Sequence, residues 1–94
     1  MIDFGRVVGF DWDAGNLGKN AKHGVDNREI EEVFFNQPLL VTSDAGHSMA
    51  EPGYRALGTS DQGRLLMVIF TLRANGGLIR IVSARPMNGK ERAS

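Results

Sequence analysis

The chain contains no cysteine, which excludes a disulfide framework and thiol chemistry, and its two histidines, His23 and His47, are too few to build a metal site alone. No apolar run approaches the roughly 20 residues that a membrane-spanning helix needs. The opening MIDFGRVVGF lacks both the basic start and the small-residue cleavage site of a secretory signal. The expectation is a cytoplasmic protein with no membrane contact, no metal and no other cofactor. Repeats and low-complexity tracts are also missing from the 94 residues, so one domain spanning 1–94 is expected. Its 41% hydrophobic and 23% charged residues are those of an ordinary globular protein.

Acidic residues are scarce in one part of the chain only. Residues 64–94 hold six basic side chains against the single acid Glu91, a net of +5, whereas residues 1–63 hold five basic against ten acidic, a net of −5. Five of the six C-terminal cations are arginines. The planar, permanently charged guanidinium suits a phosphate better than the point charge of lysine does. The same charge could instead be a solvated sheet face.

Hydrophobic spacing gives the elements. Ile2 to Phe10 alternates weakly and can form a first strand. Asp13 can cap a helix whose apolar residues Ala14, Leu17 and Ala21 fall on one stripe, although Gly15 and Gly18 each cost it about 1 kcal/mol. That arm ends in Lys22-His23, placed favourably for the helix dipole, with Gly24 as the left-handed closing residue. A second helix begins at once, with Asp26 as N-cap, Glu29 as its capping-box partner and Val25 with Ile30 as a hydrophobic staple. Its stripe is Ile30, Val33 and Phe34, and Asn36-Gln37-Pro38 stops it.

Leu39 to Thr42 reads as a short strand, followed by the loop SDAGHSMAEPG. Tyr54–Thr59, Arg64–Arg73 and Leu78–Arg85 then form an antiparallel meander, with the apolar run LLMVIF at its centre. If Asn75-Gly76 is the two-residue turn, Thr71 pairs with Arg80 and Leu66 with Arg85. Arg73, Thr71 and Arg80 then share one face. Arg64 and Arg85 close the opposite, helix-facing side. The fold expected is α+β: an antiparallel sheet, made of the C-terminal meander and the N-terminal strand, with two N-terminal helices packed on one face.

FDWD at 10–13, NAKHGV at 20–25, YRALG at 54–58, GRLLMVIFTLR at 63–73, IRIVSAR at 79–85 and KER at 90–92 occur in an order that resembles the BrnT-type toxins. These are small bacterial ribonucleases of type II toxin–antitoxin systems with a RelE-like fold. The resemblance implies RNA cleavage without a metal, inhibition of translation, and neutralisation by a cognate antitoxin of the BrnA type. Such an antitoxin is a DNA-binding dimer, and the pair reaches operator DNA only through it. Asn16 stands where the family often has lysine.

Metal-free cleavage lets a ribose 2′-hydroxyl attack the neighbouring phosphate, which calls for a proton acceptor, a proton donor and cations. Arg64, Arg73, Arg80 and Arg85 can supply the charge but hardly titrate. His23, with Lys22 beside it, is the natural group for moving protons; Glu51 and Tyr54 are weaker alternatives, and His47 is given no role. Trp12, Arg55 and Thr71 are expected RNA contacts. Each has a plainer alternative. His23 can cap helix carbonyls, Trp12 can anchor the core, and Arg64 and Arg85 can pair with Glu31 or Glu32 to hold helix to sheet. The competing function is a non-catalytic nucleic-acid-binding or protein-interaction module with a basic sheet face.

Overall fold

The run LLMVIF becomes the middle of the sheet. In the computed structural model, which describes residues 4–18, 21, 23–43 and 53–93, the elements are β1 (Gly9–Phe10), α1 (Asn27–Val33), β2 (Leu40–Ser43), β3 (Tyr54–Thr59), β4 (Leu65–Arg73), β5 (Leu78–Pro86) and α2 (Gly89–Arg92). Five strands lie in the order β1-β5-β4-β3-β2, which puts β4 at the centre with Leu66 through Thr71 all buried. The meander is antiparallel as expected, but β1 runs parallel to β5, so the sheet is mixed.

Helix α1 lies across β3 and β4. Asp26 caps it, its carboxylate accepting from the Glu29 N–H at 2.9 Å, and Val25, Ile30 and Val33 enter the core against Leu66, Val68, Phe70, Ile79 and Ile81. Gly58 seats the helix: a Cβ there would stand 2.7 Å from Cγ1 of Val33. Phe34 meets Phe70 edge to face at 5.1 Å, and Tyr54 stacks on the other side of Phe70 at 5.5 Å. Aromatic and aliphatic burial thus fixes one face of the sheet against one helix.

The first expected helix is absent among the described residues. Residues 14–18 form hydrogen-bonded turns, in which the Asp13 carbonyl accepts from the N–H groups of Asn16 and Leu17, and Gly18 takes a left-handed φ of 74°. Asn16 gives the reason. Its buried side chain donates to the carbonyls of Asp11 at 2.9 Å and Ile81 at 3.0 Å and accepts from the Asp13 N–H, so it continues the sheet edge where β1 stops. These three bonds hold the turn against β5, and a weak apolar stripe cannot outweigh them. Gly24 keeps its predicted left-handed conformation, with φ 73°. The second helix of the fold is C-terminal: α2, whose cap Asn88 and Glu91 exchange both bonds of a capping box.

Two finer expectations also change. The Glu29 side chain turns away from the Asp26 backbone and pairs with Arg64, because a charge-assisted bond in a poorly hydrated place is stronger than one to an exposed amide. In the β4–β5 hairpin Thr71 does face Arg80, but the connection is Ala74–Gly77, with positive φ at Ala74, Asn75 and Gly76. Further along, Ile69 pairs with Ser83 while Phe70 pairs with Ile81. Val82 is therefore the extra residue of a β-bulge, and beyond it Arg85 stands opposite Met67 instead of Leu66.

Candidate functional site: an arginine-bearing sheet face

The bulge decides where Arg85 goes. Side chains alternate along a strand, so a one-residue slip moves everything beyond it to the other face. Arg85, expected to face the helix, is carried to the same face as Arg80, Thr71 and Arg73. Arg55 joins them from β3, since it pairs with Ile69 of that face. Four arginines and Thr71 thus share the side of the sheet turned away from α1. Arg64 is the exception and points to the α1 side.

Three of these arginines hold carboxylates. Arg80 grips Asp13 with a two-bond fork, Nη1 to Oδ2 at 2.9 Å and Nη2 to Oδ1 at 3.0 Å, and Asp11 lies 3.5 Å from Nη1. The Arg80 bond, and then the Gly15 N–H at 2.8 Å, hold the Asp13 carboxyl below its ordinary range. Gly15 fits closely under this arrangement: a Cβ would stand 3.1 Å from Asp13 Oδ1 and 3.3 Å from Arg80 Nη2, so both side chains would have to shift slightly. The segment FDWD explains the acids: Phe10 and Trp12 turn to the core side, so Asp11 and Asp13 turn to the arginine face.

Arg85 makes a second fork with Glu91, both bonds at 2.8 Å, and this bond lowers the Glu91 pKa while raising that of Arg85. The Glu91 side chain is only 10% exposed and its Oε1 also accepts from the Asn88 N–H, so this fork anchors α2 to the sheet. Beside it lies a cleft of about 320 Å³ lined by Arg55, Leu57, Arg85, Asn88, Lys90 and Glu91.

On the α1 side, Arg64 Nη1 donates to Glu29 Oε1 at 2.7 Å and to the Gly24 carbonyl at 2.8 Å. His23 is exposed and is the residue before Gly24, so Arg64 fixes the backbone next to the imidazole. His23 is thereby grouped with Arg64, apart from Arg73 and Arg80 on the other face. Lys22, His47 and Glu51 lie outside the described residues. Trp12 packs against the core and its indole N–H donates to Glu31 Oε2 at 2.7 Å. The expected partners of Arg64 and Arg85 were Glu31 and Glu32; the structure gives them Glu29 and Glu91, while Glu31 serves Trp12 and Glu32 serves Arg28 and the Asp61 N–H.

Among the described residues, two buried side-chain oxygens have no hydrogen-bond partner, Glu29 Oε2 and Thr71 Oγ1. Asp11, Asp13, Glu29 and Glu91 were missed as site residues by spacing alone. The alternation of FDWD was the one signal that could have found the first two. No group of three or more His, Asp or Glu side chains is placed to hold a metal among the described residues, and none of their helices is long and apolar enough to cross a membrane.

A sheet covered by one helix on one side and lined with guanidinium groups on the other defines a small α+β domain with an arginine-rich face. Residues 12–91 match the family model described as "Ribonuclease toxin, BrnT, of type II toxin-antitoxin system", and the chain belongs to that family. Membership makes it a ribonuclease toxin whose partner is an antitoxin. No curated protein sequence matches it significantly.

Proposed function

We propose that the protein cleaves RNA without a metal ion and so inhibits translation, with the substrate backbone lying along the arginine face. The observation that carries this is the strand register, which with the Val82 bulge puts Arg55, Arg73, Arg80 and Arg85 on one side of the sheet; the fold is proposed to be RelE-like. A carboxylate fork does not exhaust a guanidinium, because even with the further contacts of Arg80 to Asp11 and of Arg85 to the Pro86 carbonyl some of its five N–H donors remain for phosphate oxygens. Thr71 adds a hydroxyl to the same face. In this proposal Trp12 acts through the placement of Asp11 and Asp13 beside Arg80, and stacking on a base is secondary.

Protons are assigned to His23, because an imidazole can both accept and donate one in general acid–base work. Arg64, which bonds the Gly24 carbonyl, is proposed to supply charge there, together with Lys22 as the sequence neighbour of His23. The cognate partner is proposed to be a BrnA-type antitoxin, a DNA-binding dimer that neutralises the toxin by direct contact and alone links it to operator DNA.

The test is incubation of purified protein with a defined RNA in EDTA, comparing wild type, Arg80→Ala and His23→Ala, each with its melting curve. Cleavage by wild type, weakened RNA binding in Arg80→Ala, and retained binding without cleavage in His23→Ala are the expected results. Salt-sensitive binding with no product from wild type would favour the non-catalytic module instead. In cells, expression without antitoxin should arrest growth.

A further inference from the structure

Two forks on one face are filled by the protein's own carboxylates, and they differ in a way that matters. Glu91 is nearly buried and is tied into the capping box of α2, whereas the Asp13 side chain is 56% exposed and is held by the Gly15 N–H and Arg80. Asp13 is the more exposed carboxylate of the two, and so the easier one for an incoming anion to displace. A carboxylate bound to a guanidinium through two parallel N–H···O bonds has the geometry of a phosphate bound to it.

Thr71 stands directly across the strand from Arg80, and its Oγ1 is buried with no partner in a residue only 7% exposed. A hydroxyl left in that state is costly unless some ligand uses it. Arg73 follows on the same face and is close enough for its charge to act on Asp13.

Resting on the phosphate-binding role given to this face, we infer that Asp13 occupies the seat of a substrate phosphate on Arg80, and that a phosphodiester displaces it to bind Arg80 and the Thr71 hydroxyl. Asp13 is then an internal competitor that sets how tightly, and in which register, an RNA phosphate engages β5. Gly15 is the residue that lets the competitor reach Arg80.

The full chain is titrated into a fluorescent oligonucleotide with 2′-O-methyl riboses, which cannot be cleaved, so binding is read by itself. Asp13→Asn keeps an oxygen to accept the Gly15 N–H but presents no anion to Arg80; Asp13→Ser is the second variant should the first fail to fold. Asp61→Asn removes the same charge from the β3–β4 turn, at the other end of β4, and measures the effect of net charge alone.

Asp13→Asn is expected to bind about three- to tenfold tighter than wild type, Asp61→Asn within about twofold of it, and Thr71→Val more weakly. In Asp13→Asn/Arg80→Ala the gain should vanish, as a double-mutant cycle requires for residues that act on each other. Weaker binding by Asp13→Asn, or a gain no larger than that of Asp61→Asn, overturns the inference while leaving the arginine face in place. Wild-type binding by Arg80→Ala removes the face itself, and the inference with it.

Discussion

Met67 stands opposite Arg85 and Thr71 stands opposite Arg80, and between those two pairs β5 uses one residue more than β4. That single surplus residue, Val82, turns Arg85 away from the core and aligns it with Arg80. Arg55, Arg73 and Thr71 already share that face by alternation, and the bulge adds Arg85 to them.

Deleting Val82 should close the bulge and leave Ser83, Ala84 and Arg85 opposite Ile69, Val68 and Met67, so Arg85 keeps its face and its fork with Glu91. Deleting Ser83 as well slips the strand by one and puts Arg85 opposite Val68 on the core side, where burying an unpaired guanidinium is expected to cost on the order of 4 kcal/mol or more. A double deletion with a wild-type melting temperature would show that the register does not set the faces.

Gly58→Ala should destabilise the protein by about 1–3 kcal/mol, since the new methyl meets Cγ1 of Val33 at 2.7 Å and the Val33 carbonyl at 3.4 Å. Urea denaturation gives the value directly. The helix must move off β3, so the change is read in stability first and in RNA binding little.

Asn16→Ala removes three bonds at once and leaves the Ile81 and Asp11 carbonyls without the donor they use. A loss of about 1–3 kcal/mol is expected. Hydrogen exchange should show residues 11–18 opening before the β3–β4 ladder, because Asn16 is what fastens that turn to β5.

Thr71→Val should separate stability from function. The hydroxyl is buried without a partner, so replacing it with a methyl of similar shape is expected to raise stability by about 1 kcal/mol. RNA binding should fall in the same variant. A loss of stability would mean that the hydroxyl is already serving the fold.

The Glu91–Arg85 fork predicts a pH dependence of defined sign. The Glu91 pKa is lowered from its ordinary value of 4.5 in the folded protein, chiefly by the Arg85 bond, so the folded state favours the ionised form. Its contribution is present in full above about pH 4.5 and is lost as pH falls through the lowered folded value. Wild type should be more stable than Glu91→Gln at neutral pH, with the gap closing only in that acidic range. A gap that is constant down to pH 2 on the acid side would assign it to the capping box alone.

The central strand, the Asp26 cap, the left-handed Gly24 and the Thr71–Arg80 pairing were all legible in the sequence. Each is fixed by residues near one another in the chain or by strict alternation, and short-range sterics and hydrophobic pattern suffice for such features. The segment after Asp13 was misread as a helix because its apolar spacing is a local signal. The Asn16 bonds that override it reach 65 residues along the chain to Ile81.

The sequence by itself determined that one third of the chain is cationic, that arginine dominates it, and that it folds as a meander whose middle strand is buried; composition and period decide these. Only the tertiary structure decided that Arg85 joins Arg73 and Arg80 on one face, and which acid meets each arginine. A bulge leaves no mark on the alternation that precedes it, and an ion pair depends on where two distant segments are brought by packing. The pairing of Asp13 with Arg80, 67 residues apart, is the clearest case.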